Sequence, residues 1–404
     1  MADAALAFPT GFQWGTATAS HQIEGGCWNN DWWRWEHDPA SVCKEPSGDA
    51  CDSWHRWEVD ADIVAELGLG SYRFSLEWSR IQPEEDVWST AALDRYARQC
   101  DGLIARGLDP VVTFHHFTTP RWVADRGGWE SDQTVDLFAD FCARAATHLG
   151  ADRIARACTI NEPNIVGVMG YMLGAFPPGV TDRDRADDVL DRFVVAHRRS
   201  VEALRPVLGD TPIGLTLAMA DWVAVGDTDE ERDQAQRRME RNRTRMEDRY
   251  LEAVAGDDFL GVQAYSRYRY GPGGMIGPEE GVPTLVMGYE YWPQALEASL
   301  RRAWEVTGGQ VPLLVTENGI ATEADEQRIA YVRAALEGVQ RCLADGIDVR
   351  GYTYWSLLDN FEWALGYEPR FGLVEVDRTT FGRTPKPSAT WLGEVARANA
   401  LPPA

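Results

Sequence analysis

The feature that most constrains this chain is a regular alternation, from end to end, of short apolar runs with longer amphipathic stretches. The clearest unit lies late, at 311–319, read V-P-L-L-V-T-E-N-G. Leu313, Leu314 and Val315 form an apolar run without polar alternation, which suits a strand covered on both faces, as in a parallel sheet. Asn318 and Gly319 end the run, so Glu317 falls where strand passes into loop. The same reading places strands at 11–20, 69–76, 110–114, 157–160, 213–217, 259–262, 313–315 and 349–354. Helical spacing of apolar residues recurs at 54–67, 91–106, 134–149, 185–208, 230–255, 290–306, 325–343 and 388–398. Eight strand–helix units without a break in composition predict an α/β chain, a single (β/α)8 TIM barrel over 1–404 rather than two doubly wound domains. The chain is longer than a minimal barrel, and the surplus falls after strands, at 22–52, 163–184 and 264–289. Extended βα loops are therefore expected at the C-terminal face, where barrels of this kind do their chemistry.

Charge narrows the function. Lys+Arg is 39 against Asp+Glu 63, a net of -24, and a surface so acidic repels phosphate backbones and anionic lipid. Neither nucleic acid nor membrane is an expected partner. Only two lysines occur, Lys44 and Lys386. Seven cysteines form no CxxC pair. Cys27, Cys43, Cys51 and His55 match no standard zinc spacing, so no metal is expected and the thiols read as free, as in a reducing cytosol. The first residues have no basic segment followed by an apolar one, and no stretch approaches about 18 apolar residues, which gives a cytoplasmic expectation.

Polar and aromatic residues recur where strands should end: Gln22, Arg73, His116, the Asn161–Glu162 pair, Tyr265, Glu317 and Trp355. Converging on one barrel mouth, they describe a polar cavity. Glu162 closes the fourth strand and Glu317 the seventh, so the two carboxylates face each other across that mouth. Such a pair without metal ligands nearby suits cleavage of a glycosidic bond, where one acid protonates the leaving oxygen and the other attacks or activates water. His115, next to His116, reads as a core histidine, the tryptophan-rich loop at 29–36 as packing, and the charge run at 227–249 as a solvated helix face.

Several motifs carry a resemblance. T-I-N-E-P (159–163) and V-T-E-N-G (315–319) resemble the two signatures of glycoside hydrolase family 1, the β-glucosidase family. F-Q-W-G-T-A-T-A-S-H-Q-I-E-G (12–25), Y-R-F-S-L-E-W-S-R-I (72–81) and Y-W-S-L-L-D-N-F-E-W (354–363) are similar to further family motifs, in the family's order. The resemblance implies a retaining β-glycosidase, most simply a β-glucosidase acting on small glycosides or short oligosaccharides, with no cofactor. Glu162 would be the acid/base and Glu317 the nucleophile. Gln22, His116, Asn161, Glu362 and Trp363 would bind sugar hydroxyls, with Trp355 under the ring. Tyr265 would hydrogen-bond the nucleophile, and Arg73 would lie beside it.

The chain departs from the family pattern at two points: Gln263–Ala264–Tyr265 stands where Asn-Tyr-Tyr is usual, and His116–Phe117 where His-Trp is common. Phospho-specific members replace the glutamate of the eighth-strand loop and add a phosphate-holding lysine. This chain keeps Glu362 and has no lysine between Lys44 and Lys386, so an unphosphorylated sugar is expected, Arg370 being the one rival for a phosphate. A sugar-binding barrel that had lost catalysis would lack one of the carboxylates. A metal-dependent hydrolase would show clustered His and Asp ligands.

Overall fold

The computed structural model describes residues 6–403. Eight strands, β1 (Gln13–Ala17), β2 (Ser71–Ser75), β3 (Asp109–His115), β4 (Arg156–Asn161), β5 (Ile213–Ala224), β6 (Phe259–Gly271), β7 (Leu313–Asn318) and β8 (Val349–Trp355), pair in chain order and all in parallel. Pairing of β8 with β1, Tyr352 opposite Trp14 and Trp355 opposite Ala17, closes the ring. Inside it, Val111, Cys158, Phe259 and Leu314 meet from four strands, a contact that only a barrel interior permits.

Eight longer helices cover the outside: α1 (Ser53–Glu66), α2 (Thr90–Ala105), α3 (Gln133–Leu149), α4 (Arg183–Leu208), α5 (Asp229–Arg243), α6 (Ala295–Val306), α7 (Asp325–Ala344) and α8 (Pro387–Ala398). Their starts follow capping chemistry. Ser89 accepts from Ala92 N at 3.2 Å, Asp182 from Asp184 N and Arg185 N, and Thr228 with Glu231 forms a reciprocal capping box. Along the charge run, α5 buries only Ala235 and Met239, so the rest of the face is solvated. No helix among the described residues is long and apolar enough to cross a membrane.

Several boundaries differ from the sequence expectation, each for a local reason. The first strand stops at Ala17, and Gln22 rides instead on a helical turn, Ser20–Ile23. The expected loop at 29–36 contains a helix, Asp31–Glu36, because Asn30 accepts a hydrogen bond from Trp33 N at 2.8 Å and caps it. α6 begins five residues later than expected. Glu290 is tied to β6 instead, its carboxylate bound by Arg267 and its carbonyl by Ser266 Oγ at 2.8 Å. Finally, β5 and β6 run past the barrel rim as a two-stranded extension, still paired at Ala224 and Tyr270.

Candidate active site

Each carboxylate is delivered by a strand that breaks register just before it. On β7, Val315 lies opposite Val262, yet Glu317 lies opposite Gln263. A regular register would have put Thr316 there. On β4, Cys158 pairs with Gly214 but Asn161 with Thr216, so β4 carries one extra residue ahead of Asn161–Glu162. On β6 the extra residue falls between Ala264 and Arg267, at Tyr265–Ser266. Irregularities of this type re-aim side chains at sheet ends. Glu162 itself adopts a left-handed backbone, φ 44, as do Phe117 (φ 69) and Trp363 (φ 50) in the same cavity. Non-glycine residues held there are uncommon and cluster at functional sites. Gly319 is not a turn glycine. A Cβ at that position would lie 2.0 Å from the Trp355 carbonyl oxygen, so close approach of β7 to β8 excludes any side chain.

Arg73, buried in β2, is the hub beneath the site. Its Nη1 donates to Glu317 Oε1 at 2.6 Å, its Nη2 to Asn161 Oδ1 at 2.6 Å and its Nε to Thr113 Oγ1 at 3.0 Å. The Tyr265 hydroxyl donates to the other Glu317 oxygen at 2.6 Å. Gln263 Nε2 reaches Asn161 Oδ1 at 2.9 Å, and Asn161 Nδ2 lies 3.2 Å from His116 Nε2. On the far side Gln22 Nε2 donates to Phe361 O at 2.8 Å and Glu362 Oε2 at 3.3 Å. Among the described residues Gln22 Oε1, His116 Nδ1 and Gln263 Oε1 are buried without a hydrogen-bond partner. Unpaired buried polar atoms are costly, so a ligand that satisfies them gains affinity.

The two carboxyls differ in environment. Glu162 makes no side-chain hydrogen bond among the described residues. Burial, then the negative charge of Glu317, pushes it well above the usual carboxylate range. Burial raises Glu317 as well, but the Arg73 guanidinium and the Tyr265 hydroxyl oppose that rise. Glu317 is thus the group that ionises first. Glu362 is pushed up to about 8 by burial and by Glu317. Burial and Arg73 drive His116 well down, which keeps its imidazole neutral.

Gln22, His116, Asn161, Glu162, Tyr265, Glu317, Trp355, Glu362 and Trp363 all line one cavity of about 310 Å³, with Arg73 just below it. His116 stands nearly parallel to Trp355 and Trp363, at centroid distances of 5.7 and 6.2 Å. Trp32, from the helix at Asp31–Glu36, packs behind Trp363 at 4.5 Å, so that tryptophan-rich segment supports the cavity wall. His115 is a core residue, set against Trp129, Phe138 and Phe193 and pushed down to about 3 by burial.

A model of the glycosyl hydrolase family 1 matches residues 4–260 and 274–401 of this chain. The chain belongs to glycosyl hydrolase family 1. Among curated relatives, 1,4-beta-D-glucan glucohydrolase of Thermotoga neapolitana is 32% identical, covering 98% of this chain and 99% of its own length. Beta-glucosidase A of Thermotoga maritima is 31% identical, with 98% of both chains covered. Among solved structures, a beta-glycosidase at 45% identity superposes with a TM-score of 0.89 over 98% of this chain and 99% of that one. The beta-glucosidase from Thermotoga maritima in complex with glucoimidazole superposes with a TM-score of 0.90 at 30% identity, over 98% and 100%.

Within this family 1 barrel the described residues offer one grouping with metal-ligating atoms, His21, Cys27 and Glu77, mutually within 4.8 Å. Those atoms are already engaged. His21 contacts Glu36 and Asn30, Glu77 accepts from Ser20, Ser79 and Thr118, and Arg80 Nη2 lies 3.4 Å from Cys27 Sγ. Burial also holds the Cys27 thiol protonated. A cation would meet a guanidinium there rather than a thiolate. The seven cysteines are all free thiols. Sequence reading missed the apolar side of the cavity, including Ile165, Met169, Phe176 and Met219. Only the four-residue spacing of Ile165 and Met169 just after Glu162 hinted at it.

Proposed function

We propose that this chain is a retaining β-glycosidase, a β-glucosidase, that hydrolyses the terminal non-reducing β-D-glycosyl residue of small glycosides or short oligosaccharides. The observation that carries the reading is the asymmetry of two carboxyls in one cavity: Glu317 is held by Arg73 and Tyr265, while Glu162 has no side-chain hydrogen bond among the described residues. In the first step the Glu317 carboxylate attacks the anomeric carbon while the glycosidic C–O bond breaks. The Glu162 proton passes to the departing oxygen, which a buried, proton-retaining carboxyl suits. In the second, the Glu162 carboxylate takes a proton from water. That water attacks the anomeric carbon and releases Glu317.

Gln22, His116, Asn161, Glu362 and Trp363 hydrogen-bond the sugar, and Trp355 lies under its ring. The unpartnered Gln22 Oε1 and His116 Nδ1 support the first two of these roles. The sugar is unphosphorylated. At Glu362 the pocket presents a carboxyl and, among the described residues, no cation, so a 6-phosphate would find no neutralising charge there. Arg370 does not line the cavity and pairs instead with Glu323 and Glu375. The barrel over 1–404 acts as one domain, and the free cysteines support a cytoplasmic location. The test is proton NMR of the first sugar released from a nitrophenyl β-glucoside. β-Configured glucose is expected, and an α-product at first turnover would overturn the assignment of Glu317.

A further inference from the structure

A second cavity, of about 410 Å³, lies between the loops that follow β1 and β2 and the starts of α1 and α2. It shares no lining residue with the cavity that holds Glu162 and Glu317. Three guanidiniums line it, those of Arg80, Arg95 and Arg98, and among the described residues no Asp or Glu does. In a chain with 63 acidic residues against 39 basic ones, a cavity whose charged side chains are all positive runs against the trend.

That positive charge is only partly balanced. Arg80 Nε pairs with Glu24 at 2.9 Å, behind the cavity wall, while Arg80 Nη1 makes no hydrogen bond among the described residues. Arg95 is 6% exposed, yet among the described residues it has no ion pair. Its N–H groups go to neutral acceptors: Trp54 O at 3.1 Å, Ser53 O at 2.9 Å and the Gln99 side chain. Burial holds Arg95 below the ordinary arginine value in spite of the Glu24 charge nearby. Arg98, one turn further along α2 and exposed, makes neither an ion pair nor a side-chain hydrogen bond among the described residues. A buried charge without a counter-charge is costly, and an anion in this cavity would supply one and take the free donors.

The rest of the lining decides what carries the anion. Trp28 is 60% exposed, and Trp54, Pro83, Ala91 and Ala92 add apolar surface. The polar groups that could meet sugar hydroxyls are engaged. Ser79 Oγ donates to Glu77 Oε1 at 2.6 Å, Ser89 Oγ accepts from Ala92 N at 3.2 Å, and Asn29 Nδ2 donates to Pro83 O at 2.8 Å. A hydroxyl-rich body would leave its own groups unpaired there, whereas a flat aromatic ring would gain by stacking on indole and guanidinium. We propose that this cavity is a second binding site, for an aromatic monocarboxylate, with the carboxylate on Arg80 and Arg98 and the ring against Trp28.

The full-length protein is titrated by calorimetry at low ionic strength with benzoate, and with glucuronate and inorganic phosphate for comparison. Benzoate is expected to bind once per chain with a Kd of about 1 mM or tighter, and about tenfold or more tighter than either comparison anion. Arg98→Gln is expected to weaken benzoate by about tenfold or more, through loss of a charged hydrogen bond, and Trp28→Ala by about two- to tenfold, through loss of stacking. Both side chains are exposed and lie outside the cavity of the carboxyl pair, so Tm and kcat/KM on nitrophenyl β-glucoside are expected to stay unchanged in both variants. Absence of benzoate binding, equal binding by either variant, or preference for glucuronate or phosphate overturns the proposal. So does competitive inhibition of hydrolysis by benzoate at the concentration of its Kd, which would put the benzoate beside Glu162 instead.

Discussion

Replacing Tyr265 with Phe isolates one hydrogen bond on Glu317. The hydroxyl sits 2.6 Å from Glu317 Oε2 and belongs to a side chain whose ring still packs on Phe371 at 5.9 Å after the change. The backbone carbonyl of Tyr265 keeps its bond from the Tyr331 hydroxyl at 2.6 Å, so the strand stays in place. What is lost is one donor to a buried carboxylate, worth about 1.5–3 kcal/mol when the acceptor is charged. That bond favours the ionised form and is among the influences opposing the burial-driven rise of Glu317. Its removal therefore raises Glu317 further, by about 1–2 pKa units at 1.36 kcal/mol per unit. Activity needs Glu317 ionised, so the acidic limb of kcat/KM moves to higher pH by that amount. At a pH on the old acidic limb the rate falls about tenfold to a hundredfold. The alkaline limb, set by Glu162, moves much less, because Tyr265 makes no bond to Glu162. The assay is a pH profile of kcat/KM on nitrophenyl β-glucoside for both proteins, with the limbs assigned to the carboxyl pair rather than to single residues. An acidic limb that stays where it was, or one that moves to lower pH, would refute the reasoning.

Three other outcomes follow from the site. Glu162→Ala should lose most activity on alkyl or nitrophenyl β-glucosides but far less on dinitrophenyl β-glucoside, whose leaving group needs little protonation; equal losses on all would rule out its role as acid. In the wild-type profile both limbs should lie above the ordinary carboxylate range, since burial raises Glu317 and raises Glu162 further, and activity that persists undiminished well below pH 4.5 would contradict this. Gly319→Ala should destabilise the fold by about 1–3 kcal/mol or more, because the added Cβ meets a backbone carbonyl at 2.0 Å rather than a yielding side chain; an unchanged urea midpoint would count against that contact.

The barrel was legible because burial on both strand faces writes apolar runs, and helices on the outside write a helical period between them. The carboxylates were legible because the residues after each run are the ones that reach the mouth. Other features left little trace. Thr316 and Glu317 look interchangeable by alternation, and only the pairing shows which of them is level with Gln263. The extension of β5 and β6 past the rim follows from their pairing with each other, since Gln263–Tyr270 carries no apolar run and Asp221 interrupts the one at 218–224. The helix at Asp31–Glu36 was hidden by its tryptophans, although Asn30 ahead of it is an ordinary cap signal. Gly319 follows the strand end that the sequence marks, but the Trp355 carbonyl opposite, which bars a side chain there, leaves no mark in the sequence.

The extra residue in each of β4, β6 and β7 sets a condition on moving this chemistry elsewhere. Two glutamates written onto the matching rungs of a regular barrel would point wrongly, because alternation would hand the Glu317 level to the residue before it. A designer would have to transplant the irregular backbone with the side chains. Conversely, straightening β7 without shortening it would hand the place opposite Gln263 to Thr316 and turn the carboxylate away from its partner while leaving every catalytic side chain in the sequence.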